Sequence, residues 1–164
     1  MPPADETLLA IESLYRERFA EFVAVAAAVV GERESAREAV QDAFAALVRS
    51  RRDFRGDAPL EAWAWRVVVN AARKKRRTYA REARTRASAP ASNGSGPADE
   101  PGSDLGVLVA ALPERQRVTL FLRYYADLDY RSIADVLGVE VGTVSASLHA
   151  ALKALRRALT EVPR

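Results

Sequence analysis

The stretch from Tyr130 to Val144 (Tyr130-Arg131-Ser132-Ile133-Ala134-Asp135-Val136-Leu137-Gly138-Val139-Glu140-Val141-Gly142-Thr143-Val144) constrains the fold more than any other part of the chain. Ile133, Ala134 and Leu137 recur at helical spacing and form one inner face. Ala134 is small, as a side chain must be where two helices cross closely. Gly138 supplies the left-handed residue that ends the first helix. Val139 and Val144 then plug the gap between that helix and the next. A short helix, a glycine turn and a longer helix make a helix-turn-helix.

The rest of the chain reads as helix too, with no strand alternation and no repeat of fixed period. Leu8, Ile11, Tyr15, Phe19, Phe22, Val23, Ala26 and Val29 form a first amphipathic run, with Asp5 as its expected cap and Gly31 at its end. Ser35 is expected to cap a second helix with Ala36, Ala39, Val40, Ala43, Phe44 and Leu47 inward and Glu38, Gln41 and Asp42 outward. Residues 53–58 read as a loop. Pro59 suits the first position of a third helix, running through Trp63, Val67, Asn70, Ala71 and Lys74. Leu105 to Leu112 reads as a short helix, Pro113 opens another through Val118, Phe121 and Leu122, and the last is expected over Val141 to Leu159. Residues 87–103 are dominated by Ala, Ser, Pro, Gly and acids, and too little apolar surface is available there to offset ordering entropy. The expected organisation is therefore all-α: a helical bundle over 1–86, a flexible linker over 87–103 and a helix-turn-helix unit over 104–164.

Composition narrows the chemistry. The chain has no cysteine and one histidine, His149, so disulfides, thiolate sites and multi-histidine metal sites are excluded. No glycine-rich phosphate loop, nucleophile–base set or paired carboxylates in an apolar cleft can be found, so an enzyme is the least favoured class and no cofactor is expected. The start Met1-Pro2-Pro3-Ala4-Asp5-Glu6 lacks a signal-peptide pattern, and the apolar run Phe22 to Val30 is too short to span a bilayer, so a cytoplasmic location is expected. The net charge of +3 hides a local excess. Arg66, Arg73, Lys74, Lys75, Arg76, Arg77, Arg81, Arg84 and Arg86 crowd one segment against Glu82 alone. Such density suits a polyanion, though a solvated basic helix end would show it as well.

Two blocks together carry a family resemblance. Leu112-Pro113-Glu114-Arg115-Gln116-Arg117, Leu122-Arg123-Tyr124-Tyr125, the hairpin above and Leu148-His149-Ala150-Ala151-Leu152-Lys153-Ala154-Leu155-Arg156 resemble region four of the extracytoplasmic-function sigma factors of bacterial RNA polymerase. Ala39-Val40-Gln41-Asp42-Ala43-Phe44, Phe54-Arg55-Gly56-Asp57-Ala58, and Trp63, Arg66, Val67 and Asn70 resemble their region two. The resemblance covers nearly the whole chain outside the linker, in the family's order. It implies a protein without catalytic activity that binds core RNA polymerase and promoter DNA, with an anti-sigma protein as a possible further partner.

Residue by residue, the resemblance implies three surfaces. Glu38, Gln41 and Asp42 would dock on the polymerase clamp, where acids meet basic partner residues. Phe54, Arg55, Gly56, Asp57, Trp65, Arg66, Asn70, Arg73, Lys74 and Arg77 would melt and read the minus-ten element. An unstacked base needs an aromatic pocket and amide hydrogen bonds, and the basic residues suit phosphates. Of the two tryptophans, Trp63 is expected in the core and Trp65 at the surface. Arg131, Thr143, Ser145, Ala146, Ser147, His149 and Lys153 would meet the minus-thirty-five element.

One departure stands out. The family places basic residues where this chain has Ser145, Ser147 and Ala150, and no lysine or arginine occurs from Glu140 to Leu152. Each missing phosphate contact removes counterion release, so weak or unusual minus-thirty-five binding is expected. The alternative is that Lys153, Arg156, Arg157, Arg131 and Arg123 supply enough positive field. Two other classes remain open on sequence alone: a helix-turn-helix regulator acting without polymerase, which leaves the first block unexplained, and a protein-interaction module.

Overall fold

The computed structural model describes residues 3–85 and 104–161. Among these residues are seven α-helices, one 3-10 turn and no strand: α1 (Ala4–Val30), α2 (Arg33–Arg49), the turn Arg51–Asp53, α3 (Leu60–Thr85), α4 (Asp104–Ala110), α5 (Glu114–Tyr124), α6 (Tyr130–Leu137) and α7 (Val141–Glu161). The linker expected over 87–103 lies outside the described residues.

The second half of α1 is the axis of the molecule. Phe22 to Val29 are all buried, as a helix apolar on every side must be. The first half is amphipathic, and the two halves meet at Arg18, whose backbone leaves helical geometry (φ −125°, ψ 18°). Gly31 ends α1 at φ 88°, its N–H donating to the Ala27 carbonyl at 2.8 Å. Both expected caps are corrected. Pro3 precedes α1 with no side-chain cap, while Asp5 lies in the first turn, where its charge complements the helix dipole. Glu32, not Ser35, caps α2: its carboxylate accepts the N–H groups of Glu34 (2.8 Å) and Ser35 (3.0 Å), and these bonds, led by that from the Ser35 hydroxyl, hold its pKa below the ordinary value.

Three aromatic rings lock α1, α2 and α3 together. Phe22 lies 4.1 Å from Trp65 and 5.0 Å from Phe44 between ring centroids. Ala64, Trp65, Val68, Val69 and Ala72 form the buried face of α3, after which the helix runs outward to Thr85.

In the second unit Pro113 starts α5, Asp129 caps α6 by accepting the Ser132 N–H at 2.8 Å, and Gly138 closes α6 in the left-handed region (φ 65°). Ile133, Ala134 and Leu137 of α6 and Val144 of α7 are buried, as the spacing requires.

The two units do not keep separate cores. Val118, Phe121 and Leu122 of α5 belong to the same buried cluster as Phe22 and Trp65, with α5 packed on α1 and α6 packed on α3. Small helical units each bury limited apolar area, and joining them enlarges the dry interior. Polar clasps close the seam. Arg117 donates from Nε to the Ala28 carbonyl (2.7 Å) and from Nη1 to the carbonyls of Ala110 (3.0 Å) and Leu112 (2.9 Å), serving the carboxyl ends of α1 and α4 at once. Arg18 pairs with Glu61 of α3 and donates to the Ala126 carbonyl at 3.0 Å. Among the described residues no helix is long and apolar enough to cross a membrane.

Candidate nucleic-acid interface

Two arms meet on the outer side of α3: the loop after the 3-10 turn and the helix itself. Phe54 leaves the turn and stacks on Trp63, centroids 5.4 Å apart with ring planes 17° from parallel. Arg55, Gly56 and Asp57 follow, all exposed, with Gly56 at φ 78°, a conformation that favours glycine. Arg66, Asn70, Lys74 and Arg77 are exposed on successive turns of one helix side. The result is a half-buried aromatic pair beside an amide and a ladder of cations, which suits an unpaired base with its phosphates.

Two expected members behave differently. Trp65 is fully buried at 0 % exposure, in tilted contact with Phe22, with its indole N–H donating to Glu61 at 3.3 Å. The expectation of a surface Trp65 is thus overturned, while Trp63 is half-buried and packs against the edge of the core. The buried stripe runs through 64, 65, 68, 69 and 72, one position away from that read from the sequence. Arg73 is half-buried and turns towards α5, its Nε 3.9 Å from Glu114.

Glu38, Gln41 and Asp42 are exposed on one side of α2, three and four residues apart. Glu38 pairs with Lys75 of α3. That bond, with the charges of Glu38 and Asp42, raises the Lys75 pKa above its ordinary value. Gln41 and Asp42 are left as the open part of the acidic face.

On α7, Val144, Leu148, Ala151 and Leu155 face inward. Ser145, Ala146, His149 and Lys153 are exposed, and Thr143 and Ser147 are partly so, as is Arg131 fully on α6. All seven expected residues are thus at least partly accessible. The cations flanking them are partly spent. Arg157 pairs with Glu161 at 3.4 Å and Arg123 with Asp127 at 3.5 Å, and among the described residues Arg131, Lys153 and Arg156 form no ion pair. Sequence reasoning missed Arg18, Glu114 and Arg117, which bind the units together. Charged residues on amphipathic helices look like solvated surface, and only the neighbouring proline of the Leu112-Pro113 start marks anything unusual there. Among the described residues no cluster of three or more His, Cys, Asp or Glu side chains could hold a metal ion.

Comparison with known proteins finds two family matches along the chain. Sigma-70 region 2 matches residues 14–82 and Sigma-70 region 4 matches residues 103–155, between them most of the chain. The chain is 29% identical over 153 residues to the RNA polymerase sigma-H factor of Pseudomonas aeruginosa, covering 82% of this chain and 78% of that one. It is 25% identical over 146 residues to the RNA polymerase sigma factor SigV of Bacillus subtilis, covering 86% of each. In fold it resembles the sigma factor RpoE of Bartonella quintana, solved in complex with the anti-sigma factor NepR, with a TM-score of 0.71 at 21% identity over 97% of both chains. With a region-two bundle and a region-four hairpin in the family's order, the chain belongs to the sigma-70 family, among the extracytoplasmic-function sigma factors of bacterial RNA polymerase.

Proposed function

We propose that this sigma factor divides promoter-directed initiation unequally between its two units, with the bundle carrying most of the DNA affinity. Sigma factors bind core RNA polymerase and direct it to promoters, as non-catalytic subunits. In this chain Gln41 and Asp42, with Glu38 partly neutralised by Lys75, form the polymerase-docking face. The Phe54–Trp63 stack receives a minus-ten base taken out of the duplex, Asn70 offers an amide to its edge, and Arg55, Arg66, Lys74 and Arg77 hold the flanking phosphates. Gly56 and Asp57 shape the loop that presents Phe54. On α7, Thr143, Ser145, Ala146, Ser147 and His149 meet base edges with few phosphate contacts beside them, supplied by Arg131 and Lys153.

The observation that carries the reading is the juxtaposition of a half-buried aromatic stack with an exposed amide and cation ladder on α3, in a chain whose α7 has no lysine or arginine from Val141 to Leu152. The protein acts in the cytoplasm, where polymerase and promoter DNA are, and has no catalysis of its own. An anti-sigma protein completes the partner set, on the analogy of the Bartonella quintana complex with NepR. A regulator working without polymerase leaves the acidic face of α2 and the Phe54–Trp63 pair without a purpose.

Runoff transcription with core polymerase and a promoter library tests this. Transcripts should depend on the added chain, and base changes at the minus-ten element should reduce them more than changes at the minus-thirty-five element. A chain that neither co-purifies with core polymerase nor starts RNA synthesis on any template would overturn the reading.

A further inference from the structure

We infer that the junction between α3 and α5 is a binding site for a small polyphosphate, which holds the two units in the closed arrangement. A cavity of about 600 Å³ opens there, lined by Arg73, Arg76, Arg77 and Ala80 of α3 and by Glu114 and Arg115 of α5. Its size is that of a small-molecule site.

Charge makes the case. Four guanidinium groups share the cavity with one carboxylate. Glu114 pairs with Arg76 and lies 3.9 Å from Arg73, while among the described residues Arg77 and Arg115 form no ion pair. The crowding is felt: burial first, then the charges of Arg115, Arg76 and Arg77, lower the Arg73 pKa from its ordinary value. Like charges held together in a recess raise the energy of the empty site, and a multivalent anion relieves it. The first turn of α5 adds to this attraction. Pro113 offers no side-chain cap to its N–H groups, and Glu114 is the one acid in that turn.

The lining also selects the ligand class. Guanidinium forks match phosphate oxygens in pairs, and four of them around one recess favour a chain of phosphates over one. Among the described residues Ala80 is the only apolar one in the lining and no aromatic ring is present, so the lining offers a nucleobase no stacking partner. The recognised part is the phosphate chain itself. Because α3 supplies one wall and α5 the other, the complete site exists only while the units are packed together. A ligand bound there stabilises that packing by mass action. DNA backbone is the other source of the same phosphate chemistry, and Arg77 is shared with the proposed minus-ten surface. Binding and closure can be read without polymerase or promoter, so this inference stands or falls apart from the functional reading.

The test is calorimetric titration of the full chain with inorganic tripolyphosphate at about 0.15 M salt. One saturable site is expected. Arg115→Ala should weaken it at least about tenfold, Glu114→Gln should tighten it, and Arg37→Ala, on the exposed side of α2, should leave it unchanged. A short DNA duplex should bind wild type and Arg115→Ala alike, which separates free polyphosphate from backbone. Since the chain has no cysteine, dyes on Ala45→Cys and Ala154→Cys would report the separation of α2 and α7, and tripolyphosphate should narrow it towards the closed value. Equal losses in Arg115→Ala and Arg37→Ala, no gain in Glu114→Gln, loss of DNA binding alone in Arg115→Ala, or no change in energy transfer would each overturn the inference.

Discussion

Two positions along a helix turn a side chain by about 200°, so Trp63 and Trp65 face nearly opposite directions and cannot do the same job. Trp65 fills the centre of the bundle against Phe22, and Trp65→Ala should cost about 3–5 kcal/mol in chemical denaturation by leaving a cavity. Trp63→Ala removes a ring that is only half-buried at the edge of the core and should cost less than that. In the polymerase-bound form it should instead weaken capture of single-stranded minus-ten DNA by about tenfold or more, the worth of one base stack. The reverse pattern, with Trp63→Ala unfolding the protein and Trp65→Ala sparing it, would contradict the assignment. The orientation was not legible because α3 offers two plausible stripes. One runs through Trp63, Val67, Asn70, Ala71 and Lys74, and the other through Ala64, Trp65, Val68, Val69 and Ala72. Only the second is free of polar residues, and that is the signal that identifies it.

Helix ends marked by backbone-restricted residues were legible, and ends set by side-chain capping were not. Gly31, Pro113 and Gly138 act through their own φ preferences, so their positions follow locally. Capping depends on which residue first leaves extended geometry, and at α2 that residue is Glu32 rather than Ser35. The Glu32 cap has a pH signature. Hydrogen bonds to its carboxylate lower its folded pKa below the ordinary 4.5, so its contribution is present above that value and is lost as pH falls through the lowered one. Glu32→Ala should cost about 1 kcal/mol or less at neutral pH, and the gap between the two denaturation midpoints should close in acid. A gap that persists at low pH would mean the carboxylate is not the cap. On α7 the missing cations give a second element-scale expectation. Ser147→Arg with Ala150→Arg should tighten promoter binding and steepen the plot of log affinity against log salt by about one for each new phosphate contact. An unchanged slope would place this helix away from the backbone.

Packing between the units was the least legible feature, because it is closed by residues that a sequence shows as surface. Arg117 serves three carbonyls, at the ends of α1 and α4 and in the turn after α4, and burial, then the charge of Arg76, lower its pKa from the ordinary value. This closed state conflicts with simultaneous reading of two promoter elements. The minus-ten and minus-thirty-five elements lie about 25 base pairs apart by their names, or about 85 Å at 3.4 Å per step. A compact chain of this length has a radius of gyration of about 15 Å, too small to reach both. The units must therefore separate on the promoter, and whatever stabilises the closed seam reduces the competent fraction and the apparent affinity with it. Arg117→Ala removes the clasp and leaves the Ala28 carbonyl without its donor, a penalty that falls on the closed state alone. Its scattering radius should rise above the compact value with helix content unchanged, and its complex with core polymerase should engage promoter DNA more tightly than wild type does. A variant still compact at about 15 Å and no tighter on DNA would show that the apolar seam, not Arg117, holds the units closed.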